Sequence, residues 1–220
     1  MNRSSLAPRC RLSAAGLIFA LLGGCGALPS TSTPQPAFYS LDNVGSAPVT
    51  RRETPVSERA VLPTLIVNPP HAASGFDSQR IIYVRETHRL EYYAHSEWVD
   101  PPARMFAPLV VATLENSGAF RAVVLTPSAA AGDLRLDTEI IRLQHDLGSQ
   151  PSRVRFTLRA YLMDNTTRQV LAWREFDERS AVTSETPYGS VVAANRAVHA
   201  VLEKLSAFCS ETARGAAVAK

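Results

Sequence analysis

Few residue groups in this 220-residue chain could do chemistry. Three cysteines, Cys10, Cys25 and Cys209, are too few and too scattered for a disulfide framework. Five histidines, His71, His88, His95, His145 and His199, never fall two to four residues apart, so none meets another at metal-ligand spacing. No phosphate loop, GxGxxG turn, GxSxG elbow or HExxH helix occurs. No catalytic residue, cofactor or metal is therefore expected. Cys209 lies on an apolar helical stripe and reads as a small buried hydrophobe rather than a nucleophile. Ser190, beside Gly189, opens a helix whose amides could hold an anion, although a cap without a ligand is the commoner arrangement. Two groups suggest contact instead of catalysis. One is an aromatic cluster, Tyr83, Tyr92, Tyr93 and Trp98; the other is a row of arginines, Arg153, Arg155 and Arg159.

The remaining chemical candidate is Cys25. Residues 1–11 hold Arg3, Arg9 and Arg11 without an acid, and Leu12 to Leu22 is largely apolar. Eleven residues span about 16 Å as a helix, half of a ~30 Å bilayer core, which fits an export signal and not a membrane span. The run ends in Leu22-Gly23-Gly24-Cys25, which resembles the bacterial lipobox. That resemblance implies thioether attachment of diacylglycerol to Cys25, cleavage before it, and acylation of the new amino terminus. Gly26 stands where an Asp commonly retains such proteins in the inner membrane, so outer-membrane sorting is expected. Acyl chains contribute about 0.8 kcal/mol per buried CH₂, enough for a durable anchor when several act together.

Removing residues 1–24 also settles the charge. The chain carries 23 Lys plus Arg against 20 Asp plus Glu, and the three arginines of the signal account for the whole surplus. A formally neutral mature chain gives no reason to expect nucleic acid as a partner. At 45% hydrophobic and 20% charged residues it has the composition of a globular domain.

The elements that must position these groups follow from periodicity. Residues 25–37 carry the cysteine and a Pro/Ser/Thr-rich tether, and 43–60 reads as a polar loop. Strands are expected at Phe38–Asp42, Leu62–Val67, Arg80–Arg85 and Leu90–Val99, the last two forming a hairpin. In the last of these, Tyr92 shares a face with Trp98 and is expected in the core. Tyr93 shares the opposite, charged face and is the better surface candidate. Asp100-Pro101-Pro102 predicts a helix start, with Pro108 either kinking it or delaying it to Ala107. After a short strand at Arg121–Leu125, three long strands span about 133–146, 152–164 and 168–179. Their apolar residues occupy even positions, so even must face even. The odd face then sets Arg153, Arg155 and Arg159 between Asp137 and Glu139 on one side and Glu175 and Asp177 on the other. A last helix starts at Thr186-Pro187 and presents Val191, Ala194, Val198, Leu202, Leu205 and Cys209. Residues 210–220 read as a fraying tail. The fold class is α/β: one domain, 38–209, with a mixed sheet, a long C-terminal meander and two main helices packed on it.

Several segments resemble the ABC-type transport auxiliary lipoprotein family, whose best-known branch is PqiC-like. They are Phe38-Tyr39-Ser40-Leu41, Gly75-Phe76-Asp77 leading into Arg80 to Arg85, Leu90 to Ala94 through Trp98 to Pro102, Leu114 to Phe120, and Ala193 to Ala197. The resemblance implies a periplasm-facing, outer-membrane-anchored, non-catalytic partner of an MCE protein and ABC transporter subunits, in a system moving phospholipid or another hydrophobic molecule. A homo-oligomeric ring enclosing that route is a further expectation. The alternative is a structural lipoprotein that tethers an envelope complex without handling lipid. Tyr83, Tyr93, Arg153, Arg155 and Arg159 are the candidate interaction surface.

Overall fold

The computed structural model describes residues 35–42 and 62–218. The export segment, Cys25 and the 43–60 stretch lie outside the described residues. In chain order the elements are β1 (Ala37–Tyr39), β2 (Thr64–Val67), β3 (His71–Ala72), β4 (Arg80–Val84) and β5 (Glu91–Trp98). Then come α1 (Pro102–Asn116), β6 (Ala122–Leu125), β7 (Leu134–Asp146), β8 (Arg153–Asp164), β9 (Val170–Ala181) and α2 (Pro187–Val218). This is the expected α/β domain with its meander and two helices. The two-residue β3 was not expected.

The 13-residue β7 organises the sheet. One edge pairs with β8 along its length, and β8 pairs in turn with β9, both antiparallel. The other edge is shared by three short parallel strands in succession: β2 at Leu134–Leu136, β3 at Glu139–Ile140 and β4 at His145–Asp146. Strand β6 extends the sheet beyond β2, and β5 then β1 extend it beyond β4. Because β2 is flanked on both edges by parallel partners, all four of its residues are buried, the signature of an interior parallel strand.

Even does face even in the first half of β7, where Leu136 opposes Leu162 and Ile140 opposes Leu158. A β-bulge between Ile140 and Arg142 then shifts the register by one residue. Beyond it, Leu143 and His145 turn into the core, while Arg142, Gln144 and Asp146 swing to the other face. The β8–β9 pairing keeps even parity from Val154 to Leu162, with Leu158 opposite Phe176 and Leu162 opposite Ala172.

The even face meets the helices. Phe106 of α1 packs edge-on against Phe156, centroids 5.5 Å apart, and Phe208 of α2 meets Phe176 at 6.0 Å. The expected α2 stripe, Val191 to Cys209, is buried throughout. Thr186 caps this helix: its Oγ1 accepts the Gly189 amide at 3.1 Å. Gly189 is needed there, because a Cβ at that position would come within 2.0 Å of the Ser184 carbonyl oxygen.

Three local expectations need correction. First, α1 starts at Pro102 on Pro101, without a side-chain cap, and carries Pro108 inside it. Asp100 pairs instead with Arg104, 3.4 Å away. Second, α2 does not fray at 210 but runs to Val218, because Ala213 continues its apolar stripe and is buried. Third, β9 continues through Ala181, where Arg153 still has a strand partner.

Candidate interaction surface

The face of β7–β9 turned away from the helices is a ladder of charge. Arg159 on β8 lies between acids of both neighbours, 2.8 Å from Glu175 and 3.8 Å from Glu139. Arg155 donates through Nε to Asp177 at 2.6 Å, and the same carboxylate accepts the Thr157 hydroxyl at 2.7 Å. Burial raises the Asp177 carboxyl, but the hydrogen bonds from Arg155 and Thr157, with the nearby Arg179, more than reverse this and hold it below the usual range. Arg153 is exposed, faces Asp146 and Ala181 across its two neighbours, and has no ion pair within 4.0 Å among the described residues. The expected arginine strand between acidic strands is thus built by Arg155 and Arg159.

Among the described residues strand β9 pairs with β8 only, so its other edge has no strand partner there. There Trp173, 62% exposed, stacks on Tyr161 with centroids 6.3 Å apart. Beyond the hairpin, β1 is likewise an edge strand, with Phe38 59% exposed. Large apolar groups therefore stand in water at two separate edges of the sheet.

The hairpin aromatics divide differently from expectation. Arg80 opposes Glu97, but Ile82 opposes Tyr92, so β5 carries extra residues between these pairs. An odd offset exchanges faces along the strand. Tyr92 consequently stands in solvent, 50% exposed, with the Arg80 guanidinium 4.2 Å over its ring. Tyr93 turns inward and packs against the core, its ring 4.8 Å from that of Tyr83. Its hydroxyl lies 3.1 Å from His145 Nδ1. Burial pushes the Tyr93 hydroxyl up despite a hydrogen bond with Ser190, and burial pulls the His145 imidazole down. Both groups therefore stay neutral near pH 7. Tyr83 is the outer member of the pair: its hydroxyl donates to Glu91 at 3.1 Å, and the Arg85 guanidinium covers its ring at 5.0 Å.

His145 is the residue sequence reasoning passed over. It is 1% exposed and joins β7 to the hairpin through Tyr93. The signal was the consecutive apolar pair Ile140-Ile141 followed by Leu143, which marks a change of phase.

Next to this cluster the sheet opens. Between its pairings with β3 and β4, the second edge of β7 has no strand partner at residues 141–144 among the described residues. Beside this stretch lies a hollow of about 630 Å³, lined by Arg85, Arg142, Arg155, Asp146, Phe76 and Leu90 among others. The bulge is what brings Arg142 to it.

The other candidates are settled by their surroundings. Cys209 is fully buried, and burial pushes its thiol up to about 12, so it carries no thiolate at neutral pH. Ser190 is buried and its amide bonds the Thr186 carbonyl at 3.0 Å, which uses the helix start for capping. Among the described residues no group of three His, Cys, Asp or Glu could hold a metal ion. None of the described helices is long and apolar enough to cross a membrane.

Comparison with solved structures places the fold. The crystal structure of protein XCC0632 from Xanthomonas campestris is 25% identical, with a TM-score of 0.66 over 70% of this chain and 87% of that one. A crystal structure of an uncharacterized protein gives a TM-score of 0.61 at 11% identity, over 80% of this chain and 99% of that one, and shows the fold alone. No curated protein matches in sequence. The family model for the ABC-type transport auxiliary lipoprotein component matches residues 39–206, from the first edge strand to the middle of α2. Over that span the chain belongs to the family of ABC-type transport auxiliary lipoprotein components.

Proposed function

We propose that this protein is a non-catalytic accessory component of an MCE and ABC-type system that moves phospholipid or another hydrophobic compound between membranes. It is anchored to the outer membrane through Cys25 and faces the periplasm. The family match over residues 39–206 carries this reading. The sequence Leu22-Gly23-Gly24-Cys25-Gly26 supports the anchor, and the Pro/Ser/Thr-rich stretch after it gives the domain reach.

In this role the domain docks and encloses; it does not transform its cargo. An apolar molecule crossing water loses about 25 cal/mol for each Å² exposed, so an enclosed route lowers the barrier. Two open sheet edges, with Trp173 at one and Phe38 at the other, support assembly of copies edge to edge. Different surfaces meeting in this way give a heterologous contact, which closes into a ring when the rotation allows. Tyr83, Arg153, Arg155 and Arg159 lie on exposed or half-buried positions suited to such contact.

Membrane fractionation of Cys25→Ala tests the anchor: the variant should leave the outer membrane, and unchanged fractionation would defeat the lipoprotein reading. Mass measurement in mild detergent tests the assembly, with monomers alone at high concentration counting against a ring.

A further inference from the structure

The hollow beside the β7 bulge holds more positive charge than the ladder consumes. Arg142 is half-buried and reaches no ion-pair or hydrogen-bond partner among the described residues. Its opposite residue on β8 is Thr157, whose hydroxyl is committed to Asp177. Of the two acids flanking it along the strand, Glu139 lies 3.8 Å from Arg159 and Asp146 accepts the Gln144 side-chain amide. Arg155 stands two pairs further on, opposite Gln144, and spends its Nε on Asp177, which leaves its terminal nitrogens for another acceptor. Arg85 on the far wall lies 3.9 Å from Glu91 and stacks on Tyr83, so its donors are weakly engaged.

We infer that this hollow binds a small phosphate-bearing anion, with Arg142 as its main contact and Arg85 and Arg155 flanking it. A half-buried guanidinium without a counter-charge is unfavourable unless an anion completes it. The planar fork of Arg suits two oxygens of one phosphate. About 630 Å³ lies within the range of small-molecule sites and admits a phosphate ester. Phe76, Val84 and Leu90 give the same hollow an apolar flank, which matches an ester carrying carbon better than a bare ion. Asp146 on the wall disfavours high anionic charge and so selects a monoanionic diester over a dianion. The shared chemistry is phosphate, from a lipid headgroup or from the free ion. The inference rests on these side chains and would survive loss of the MCE partnership.

Titration calorimetry on the full acylated chain in neutral detergent provides the test, with glycerophosphoglycerol as a diester headgroup probe and inorganic phosphate as the free ion. Glycerophosphoglycerol should bind, more weakly as salt rises. Arg142→Ala should weaken it at least tenfold, equivalent to about 1.4 kcal/mol. Arg142→Lys should retain part of the binding. Arg85→Ala, at an exposed side chain with little bearing on folding, should weaken it several-fold. Tighter binding of the diester supports the inference and assigns the site to lipid headgroups; tighter binding of inorganic phosphate assigns the site to the free ion and overturns the selection for a diester. The inference is overturned if neither probe binds, if binding ignores both Arg142→Ala and Arg85→Ala, or if only an acidic peptide such as hexaglutamate binds.

Discussion

Replacing Asp177 by Ala should destabilise the domain by about 2 kcal/mol, more than its place on an open sheet face suggests. The carboxylate accepts from Arg155 at 2.6 Å and from Thr157 at 2.7 Å, with Arg179 at 3.6 Å. The side chains of Arg155 and Asp177 are 29% and 32% exposed, so solvent screens their pairing and about 0.5–1 kcal/mol is reasonable for it. Thr157 is only 2% exposed, and stranding its hydroxyl costs about 1–3 kcal/mol. Most of the loss is therefore a stranded hydroxyl rather than a lost ion pair. Urea unfolding, followed through Trp98 in the core, measures it. Adding Thr157→Val to Asp177→Ala should recover about 1 kcal/mol, because removing both partners is nearly neutral. Arg155→Ala combined with Asp177→Ala should show coupling of about 0.5–1 kcal/mol. Since the folded carboxyl titrates below its unfolded value, its contribution is present above about pH 3.9 and lost as pH falls through the lower folded value. An Asp177→Ala midpoint equal to the parent's, with no benefit from Thr157→Val, would refute this reasoning.

Other predictions concern the core and the helix start. His145 is neutral when folded, and its pKa is depressed by burial. Its contribution to stability is therefore complete above an unfolded value of about 6.5 and declines as pH falls below that. Unfolding midpoints of the parent should drop between pH 7 and pH 5 by more than those of His145→Gln; parallel curves would contradict the assignment. Thr186→Ala should cost about 1 kcal/mol in urea unfolding through loss of the cap on Gly189, and Thr186→Ser should restore most of it.

Much of the fold was legible because alternation in the meander is regular. Even positions of β8 and β9 face each other and the helices, and the ladder of Arg155 and Arg159 against Asp177, Glu175 and Glu139 follows from that parity. The α2 stripe was equally direct. Two irregularities escaped. The bulge after Ile140 exchanged Arg142 with Leu143, and the irregular pairing in β5 exchanged Tyr92 with Tyr93. Periodicity reports which residues share a face within one strand, but an inserted residue reverses the assignment without changing composition. The three parallel partners along one edge of β7 were also invisible, because they join residues brought together only by the chain's return. The hollow lies where both kinds of information were missing. Arg142 reaches it only because of the bulge, and the break in strand pairing had no local signal.

The central claim, that this lipoprotein serves an MCE and ABC-type transport system, is tested most directly by affinity capture of the acylated chain from solubilised envelopes. Mass spectrometry would then identify what accompanies it. The account predicts an MCE-family subunit together with ABC transporter subunits, and their loss from envelopes lacking that MCE subunit. Capture of an unrelated envelope complex, with no MCE or transporter subunit above background, would contradict it.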